Sequence, residues 1–370
     1  MSQSLISEIS EKNLIDFVNI PYELFKDNPF WVGELKKDVL HLLNLKHPFW
    51  QHAERKLFIA KKGGQTIGRI AAISNHNYNK FHNENMGFFG FFDCTNDEET
   101  AKKLFEQASI WLKKKGAIAI RGPVNPSTNE TCGILIEGFD SPPVIMMPYN
   151  PPYYLKLLEN AGFSKIKDLL AFSRSHKEPF SDRFKKILNR IKKSASIELK
   201  QADTKNLSNE LSVFQEIYNQ AWSENWGFVP TNDDEIADLA KVLKPLLKPE
   251  YLYFVQIDNK PVGFVLLLPD FNIPLKAING RFTLLNILPF LWKMFNINRG
   301  RFLAMGVKKE YRNRGIELLL IEQAMISSKK FNWDYTELSW TLEDNEKVNK
   351  VIDLAGGKVY KKYRIYDKTL

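Results

Sequence analysis

The stretch best equipped for chemistry runs from Lys308 to Glu317, reading KKEYRNRGIE. An apolar run, Phe302 to Val307, precedes it and reads as a strand. A leucine-rich segment from Ile316 to Lys329 follows and reads as a helix. The first four amide N–H groups of a helix have no partner inside it, and the helix dipole adds partial positive charge there. A strand, a basic turn and a helix start therefore make a natural phosphate site. Gly315 has no side chain, so a ligand could approach the backbone closely. Lys308, Lys309, Arg312 and Arg314 add positive field for a ligand with several negative charges. A purely structural junction of the same kind fits these residues too.

Two segments with the same plan surround this stretch. KLFIAKKGGQTIGRIAAI, around Gly68, predicts two strands joined at Gly63-Gly64. YLYFVQIDNKPVGFVLLL, around Gly263, predicts two strands joined at Asp258-Asn259. Gly68 and Gly263 are 195 positions apart, and Gly162 and Gly356, each closing a helical stretch, are 194 apart. Two landmarks with nearly the same offset predict an internal duplication. In the first copy, strands are expected at Gly87 to Phe92, Ala117 to Arg121, Val144 to Met147 and Lys167 to Arg174. Helices are expected at Glu98 to Lys115 and Tyr153 to Asn160. In the second copy the order is strand Phe302 to Val307, helix Ile316 to Lys329, strand Tyr335 to Leu342, helix Glu346 to Leu354 and strand Lys358 to Tyr366. The Gly/Pro/Asn-rich loop Gly122 to Pro143 sets the first copy apart, and the apolar stretch Phe271 to Arg299 the second. Ser181 to Lys193 reads as a basic linker helix, with a nucleic-acid- or membrane-binding helix as the alternative.

Arg312-Asn313-Arg314-Gly315-Ile316 resembles the R/Q-x-x-G-x-G/A pyrophosphate loop of the GNAT acyl-CoA N-acyltransferase superfamily. Asn345 to Gly356 (NEKVNKVIDLAG) resembles that family's N-x-x-A-x-x-x-Y-x-x-x-G-F element. The resemblance covers about residues 205–370 and, more faintly, the first copy. It implies an α+β (mixed α/β) chain of two tandem GNAT-like lobes, each a mostly antiparallel sheet flanked by helices. The expected division is a degenerate lobe at 1–180, a basic linker at 181–204 and an acyl-CoA-binding lobe at 205–370. It further implies acetyl-CoA or another acyl-CoA as co-substrate. Met305, Gly306 and Val307 would lie along the pantetheine, and Arg312, Asn313, Arg314, Gly315, Ile316 and Glu317 around the pyrophosphate. Asn345 would lie near the pantetheine or thioester. The activity implied is transfer of an acyl group, most simply acetyl, to a small-molecule or peptide amine.

Three departures bear on that activity. Glu317 puts a carboxylate where the family has Gly or Ala. Ile352 stands where its tyrosine often protonates the leaving thiolate, and Gly357 replaces a common Phe. Tyr360, Tyr363 or Tyr366 on the last strand could supply the missing acid. In such a lobe, Ala221 to Thr231 (AWSENWGFVPT) would line the acceptor side, with Trp222, Trp226 and Phe228 as pocket residues and Glu224 as the group that orients or deprotonates the amine. The departures leave a non-catalytic CoA-binding or interaction protein as the alternative. The first copy, with only Asp93 to Asn96 between strand and helix, is not expected to bind CoA.

Composition sets the remaining bounds. The 370 residues are 44% hydrophobic and 26% charged, which fits folded domains and excludes a disordered chain. The formal charge of +9 favours anionic partners, but no helix-turn-helix or RNA-binding signature accompanies it, so no nucleic-acid partner is expected. The six histidines show no metal spacing, and no metal site is assigned. Cys94 and Cys132 form no CxxC pair, and Met1 to Lys12 lacks the order of a secretory signal; a reducing, cytoplasmic home is the expectation. No apolar run is long enough to span a bilayer. The most apolar one, Phe282 to Phe295, reads as a helix packed between the lobes, a hydrophobic acceptor groove or a membrane-surface contact.

Overall fold

In the computed structural model, residues 3–193 and 197–370 are described; 194–196, part of the expected linker, lie outside them. The elements run in chain order from β1 (Leu5–Glu8), α1 (Leu14–Leu24), α2 (Lys36–Leu43), β2 (Ala53–Lys62), β3 (Gln65–Asn75) and α3 (His76–His82) to β4 (Met86–Cys94). Then come α4 (Glu98–Lys114), β5 (Ala119–Gly122), β6 (Val124–Asn125), β7 (Thr131–Cys132), β8 (Ile134–Glu137), α5 (Tyr154–Asn160) and β9 (Ser164–Ser175). After these follow α6 (Asp182–Ile191), β10 (Ile197–Gln201), α7 (Leu207–Trp222), α8 (Asp233–Leu243), β11 (Leu252–Ile257), β12 (Lys260–Pro269), α9 (Asn272–Ile278) and α10 (Ile287–Phe295). The chain ends with β13 (Arg299–Val307), α11 (Ile316–Lys330), β14 (Tyr335–Leu342), α12 (Glu346–Leu354) and β15 (Lys358–Thr369).

Two compact units contain these elements. Unit 1 is Met1–Leu169, Asn272–Phe295 and Lys361–Leu370; unit 2 is Leu170–Phe271 and Asn296–Tyr360. The division expected from sequence, 1–180, 181–204 and 205–370, follows linear order. The compact units are drawn differently, because residues 272–295 and 361–370 cluster with the N-terminal part.

The strands of each unit repeat one topology. In unit 1, β1, β2, β3 and β4 are antiparallel neighbours, and β4 then pairs with β5 in parallel. In unit 2, β10, β11, β12 and β13 are antiparallel, and β13 pairs with β14 in parallel. The crossover helix is α4 in the first case and α11 in the second. Both hairpin turns have positive φ at both central residues, 58° and 82° at Gly63-Gly64 and 50° and 62° at Asp258-Asn259. That geometry matches the twist of the flanking strands and selects Gly, Asn and Asp.

Core packing follows the patterning. On α4, Leu104, Phe105, Ala108 and Leu112 are buried at helical spacing over β3. The other crossover helix, α11, is buried on more than one face, including Leu318, Leu319, Leu320 and Ile321 in succession. Its second cover is α6, whose Phe184 and Leu188 enter the same core. The basic segment expected as a linker is thus a packed helix of unit 2, with its lysines facing outward. Val144 to Met147 forms a turn in place of the expected strand, closed by Met147 N–H donating to Val144 O at 3.1 Å. Val144 and Met147 are buried there, so their apolarity serves burial without ladder pairing.

Candidate functional site

In unit 2 the opening that could take a ligand arm is made by a bulge. Strand β13 faces β12 with Ala304 opposite Leu266 and Phe302 opposite Leu267, so Leu303 is an extra residue. A bulge of this kind bends its strand. On the other side β13 pairs with β14 only from Arg299 to Phe302, opposite Tyr335 to Leu338. Beyond Leu303 the two strands part. Ser339 sits at the apex, donating to Leu303 O at 3.3 Å and accepting from Arg301 at 3.0 Å. Below it Arg301 and Glu337, both buried, approach to 3.4 Å, and the Tyr360 hydroxyl donates to Glu337. Sequence reasoning missed Arg301, Glu337 and Ser339. The available signal was a charge inside each strand, Arg301 in β13 and Glu337 in β14, since buried charges persist when paired.

The diverging edge of β13, Leu303 to Val307, leads to the basic turn. Gly306 is small because α7 crosses it: an added Cβ would lie 3.1 Å from Ala221 Cβ and 3.0 Å from the Phe264 ring. Arg312 folds back, donating to Val307 O at 3.3 Å and to Ala221 O. Lys308 pairs with Glu216 at 2.6 Å and Lys309 with Glu224 at 2.5 Å. Asn313 and Gly315 both have positive φ, 62° and 78°, and Gly315 caps α11. The space beside Gly315 is filled by Ile191 of α6, whose Cδ1 would stand 2.3 Å from an added Cβ. The glycine thus answers to chain conformation and helix packing as well as to any ligand. Glu317, in the first turn of α11, is half-buried and accepts from its own backbone amide. Burial raises its pKa, against the opposing pull of that amide and of Arg312. An internal carboxylate therefore sits where the helix start favours an anion.

The remaining expected site residues divide. Trp222 packs edge-on against Tyr218, ring centroids 4.0 Å apart, and Phe228 lies 5.9 Å from the same ring. With Phe264 they form an aromatic cluster beside Gly306, next to the loop; Trp226 is half-buried. Glu224 is fully exposed and ion-paired, its carboxyl held below the usual range chiefly by the hydrogen bond from Lys309. A carboxylate stabilised in this way is a weak base. Asn345 caps α12, accepting from Val348 N–H at 3.3 Å. Ile352 is a core residue, against Leu338 and within reach of Gly357. Of the three strand tyrosines, Tyr360 belongs to unit 2, while Tyr363 and Tyr366 are buried in unit 1.

The matching opening in unit 1 is filled by the chain itself. Strand β4 carries its own bulge, with Asp93 opposite Arg69 and Gly90 opposite Ala71, and pairs with β5 only at Met86 to Phe88. Val124 and Asn125 occupy the parting: a Cβ on Gly90 would fall 1.7 Å from Val124 O, and Phe91 N–H donates to Asn125 Oδ1 at 2.6 Å. The start of α4 is capped by Asp97, whose side chain accepts from Thr100 N–H, with Glu98 and Glu99 beside it. One first-turn amide is thus capped internally, and acidic side chains sit at the positive end of the helix dipole.

The sequence matches no family model. Over its full length it is 33% identical to Protein YghO of Escherichia coli K12, covering 96% of that protein. It is 31% identical to the bacterial ceramide synthase of Caulobacter vibrioides, covering 99% of this chain and 97% of that one. A solved tandem GNAT protein from the clavulanic acid biosynthesis pathway superposes with a TM-score of 0.57 at 10% identity, over 99% of this chain and 98% of that one. A likeness at that identity is one of fold. The repeated topology, one strand parting open and one filled, and the full-length identities converge: this chain belongs to the family of E. coli YghO and the C. vibrioides bacterial ceramide synthase, built on a tandem GNAT fold.

Proposed function

We propose that the chain transfers the acyl group of an acyl-CoA to an amine, and that unit 2 holds the acyl donor. The observation that supports this most is the parting of β13 from β14 at the Leu303 bulge, aimed at the basic turn and the start of α11. The edge of β13 from Ala304 to Gly306, beyond its last pairing with β14, suits a pantetheine amide chain, and the α11 amides with Arg312 and Arg314 suit a pyrophosphate. The amine nitrogen attacks the thioester carbonyl, the tetrahedral adduct collapses, the C–S bond breaks and the thiolate leaves. The nitrogen sheds one proton to solvent or a nearby base. Because a thiol has a pKa of roughly 8–9, its departure needs little help from an acid. Of the strand tyrosines weighed as acids, Tyr360 is the one in unit 2, its hydroxyl donating to Glu337 below the opening.

The name of the C. vibrioides relative narrows the substrates. A ceramide is the amide of a fatty acid and a long-chain amino alcohol, so the proposed acceptor is such an amino alcohol and the donor a fatty acyl-CoA. Thiol release with acyl-CoAs from acetyl to palmitoyl, with and without a long-chain amino alcohol, tests this, with the amide identified by mass spectrometry. Amide formation that needs both substrates is expected, with one CoA bound per chain in equilibrium titration. Ile352 in the core and Glu317 at the α11 start favour a second reading, a non-catalytic CoA binder. CoA binding with no amide from any amine would establish that reading instead.

A further inference from the structure

We propose that residues 282–295 form a membrane-surface docking element that seats on an anionic phospholipid bilayer. This rests on the surface of unit 1 and does not depend on acyl transfer in unit 2. The base of the element is anchored. Asn272 donates to Pro143 O at 3.0 Å, Ile278 is buried, and Lys36 N–H donates to Gly280 O at 2.9 Å. Gly280 has φ of +80° with the Tyr22 ring packed against its Cα, where no side chain would fit. Beyond this base the chain presents apolar groups outward. Leu284 is 91% exposed, Leu285 92%, Leu288 76%, Trp292 62% and Phe295 87%. The apolar face of α10 points to solvent.

Such a concentration of exposed large apolar side chains marks an interaction surface. The occupant is indicated by charge and shape. Residues 272–295 contain Lys276, Arg281 and Lys293 and no acid, in a chain of formal charge +9. Lys293 Nζ lies 5.0 Å from the Trp292 ring centroid, placing a cation beside an indole as interfacial helices do. At nine residues, α10 is about 14 Å long, too short to cross a hydrocarbon core of about 30 Å. It would lie in the plane of the interface, leucines toward the acyl chains and basic residues at the phosphates.

The test is flotation of the full chain with phosphatidylcholine vesicles, with and without phosphatidylglycerol. The variants are Leu284→Gln/Leu285→Gln/Leu288→Gln and Arg281→Gln/Lys293→Gln. Wild type should float with the anionic vesicles and less with the neutral ones. Each exposed leucine entering apolar medium is worth about tenfold in partitioning, so the triple variant should lose at least about 100-fold. The charge variant should lose part of the preference for anionic over neutral vesicles. Thermal melting should be unchanged in both, because the altered side chains are exposed. Wild type that stays at the bottom with both vesicle types overturns the proposal. So does a concentration-dependent dimer, seen by sedimentation equilibrium, that the triple variant abolishes while vesicles go unbound, which would make the face a contact between copies.

Discussion

Replacing Glu317 by glutamine probes the proposed pyrophosphate site most directly, because the native carboxylate competes for the same helix start. An anion held by the first-turn amides of α11 lies within about one helical turn, roughly 6 Å, of that carboxylate. At an effective dielectric of about 20, two unit charges at that distance repel by about 3 kcal/mol. Half-exposure and salt reduce this to about 1–2 kcal/mol, or about 5- to 30-fold in affinity. Calorimetry with CoA should show Glu317→Gln binding tighter by that factor. The pH dependence gives an independent check. Burial raises the Glu317 pKa, and a bound anion raises it further, so CoA should bind wild type with proton uptake at mildly acid pH. Dephospho-CoA, whose pyrophosphate does not titrate there, isolates the effect, and the Gln variant should lack the uptake. The raised pKa also means that charged Glu317 costs folding stability above its ordinary value of 4.5, so Glu317→Gln should gain on wild type as pH rises above that value. Unchanged or weaker CoA binding by the variant would place the pyrophosphate elsewhere and refute the assignment.

Gly315→Ala should lower stability by about 1–3 kcal/mol, from positive φ and from the approach of Ile191. Adding Ile191→Ala should recover part of the loss, as read by denaturant melts. Ile352→Tyr should not restore an acid: with Leu338 and Gly357 against it, the larger ring overpacks the core, at a cost of about 2 kcal/mol and no gain in turnover. His176 bonds Thr336 at 2.9 Å, and burial, with Arg174 and Lys329 adding to it, lowers its pKa from 6.5 to about 4. Its stabilisation is therefore complete above pH 6.5 and is lost as pH falls toward 4, and His176→Gln should flatten that part of the stability profile.

Local chemistry made much of this molecule readable in advance. Gly63-Gly64 and Asp258-Asn259 named both hairpins because few residues accept positive φ in succession. The spacing of Leu104, Ala108 and Leu112 named α4 because helical period is local. The duplication was predicted from two glycine landmarks at nearly the same offset and a repeated element order, and the Lys308–Glu317 turn stood out by charge. Val144 to Met147 misled because apolarity reports burial and not the partner that provides it.

What only the tertiary structure decided were relations between residues distant in sequence. The Leu303 bulge exists only in its register against β12, and the plugging of the first opening by Asn125 depends on a loop returning to Gly90. Ile191 meets Gly315 across 124 positions, so the glycine in the motif carries a packing role that no local pattern reveals. Residues 282–295 differ from buried apolar runs only in what fails to cover them. Sequence by itself determined the elements, the repeat and the basic turn, because dihedral preference, period and charge are properties of neighbours. Which opening stays clear, and which apolar face meets solvent, are set by long-range packing, and a linear pattern does not contain it.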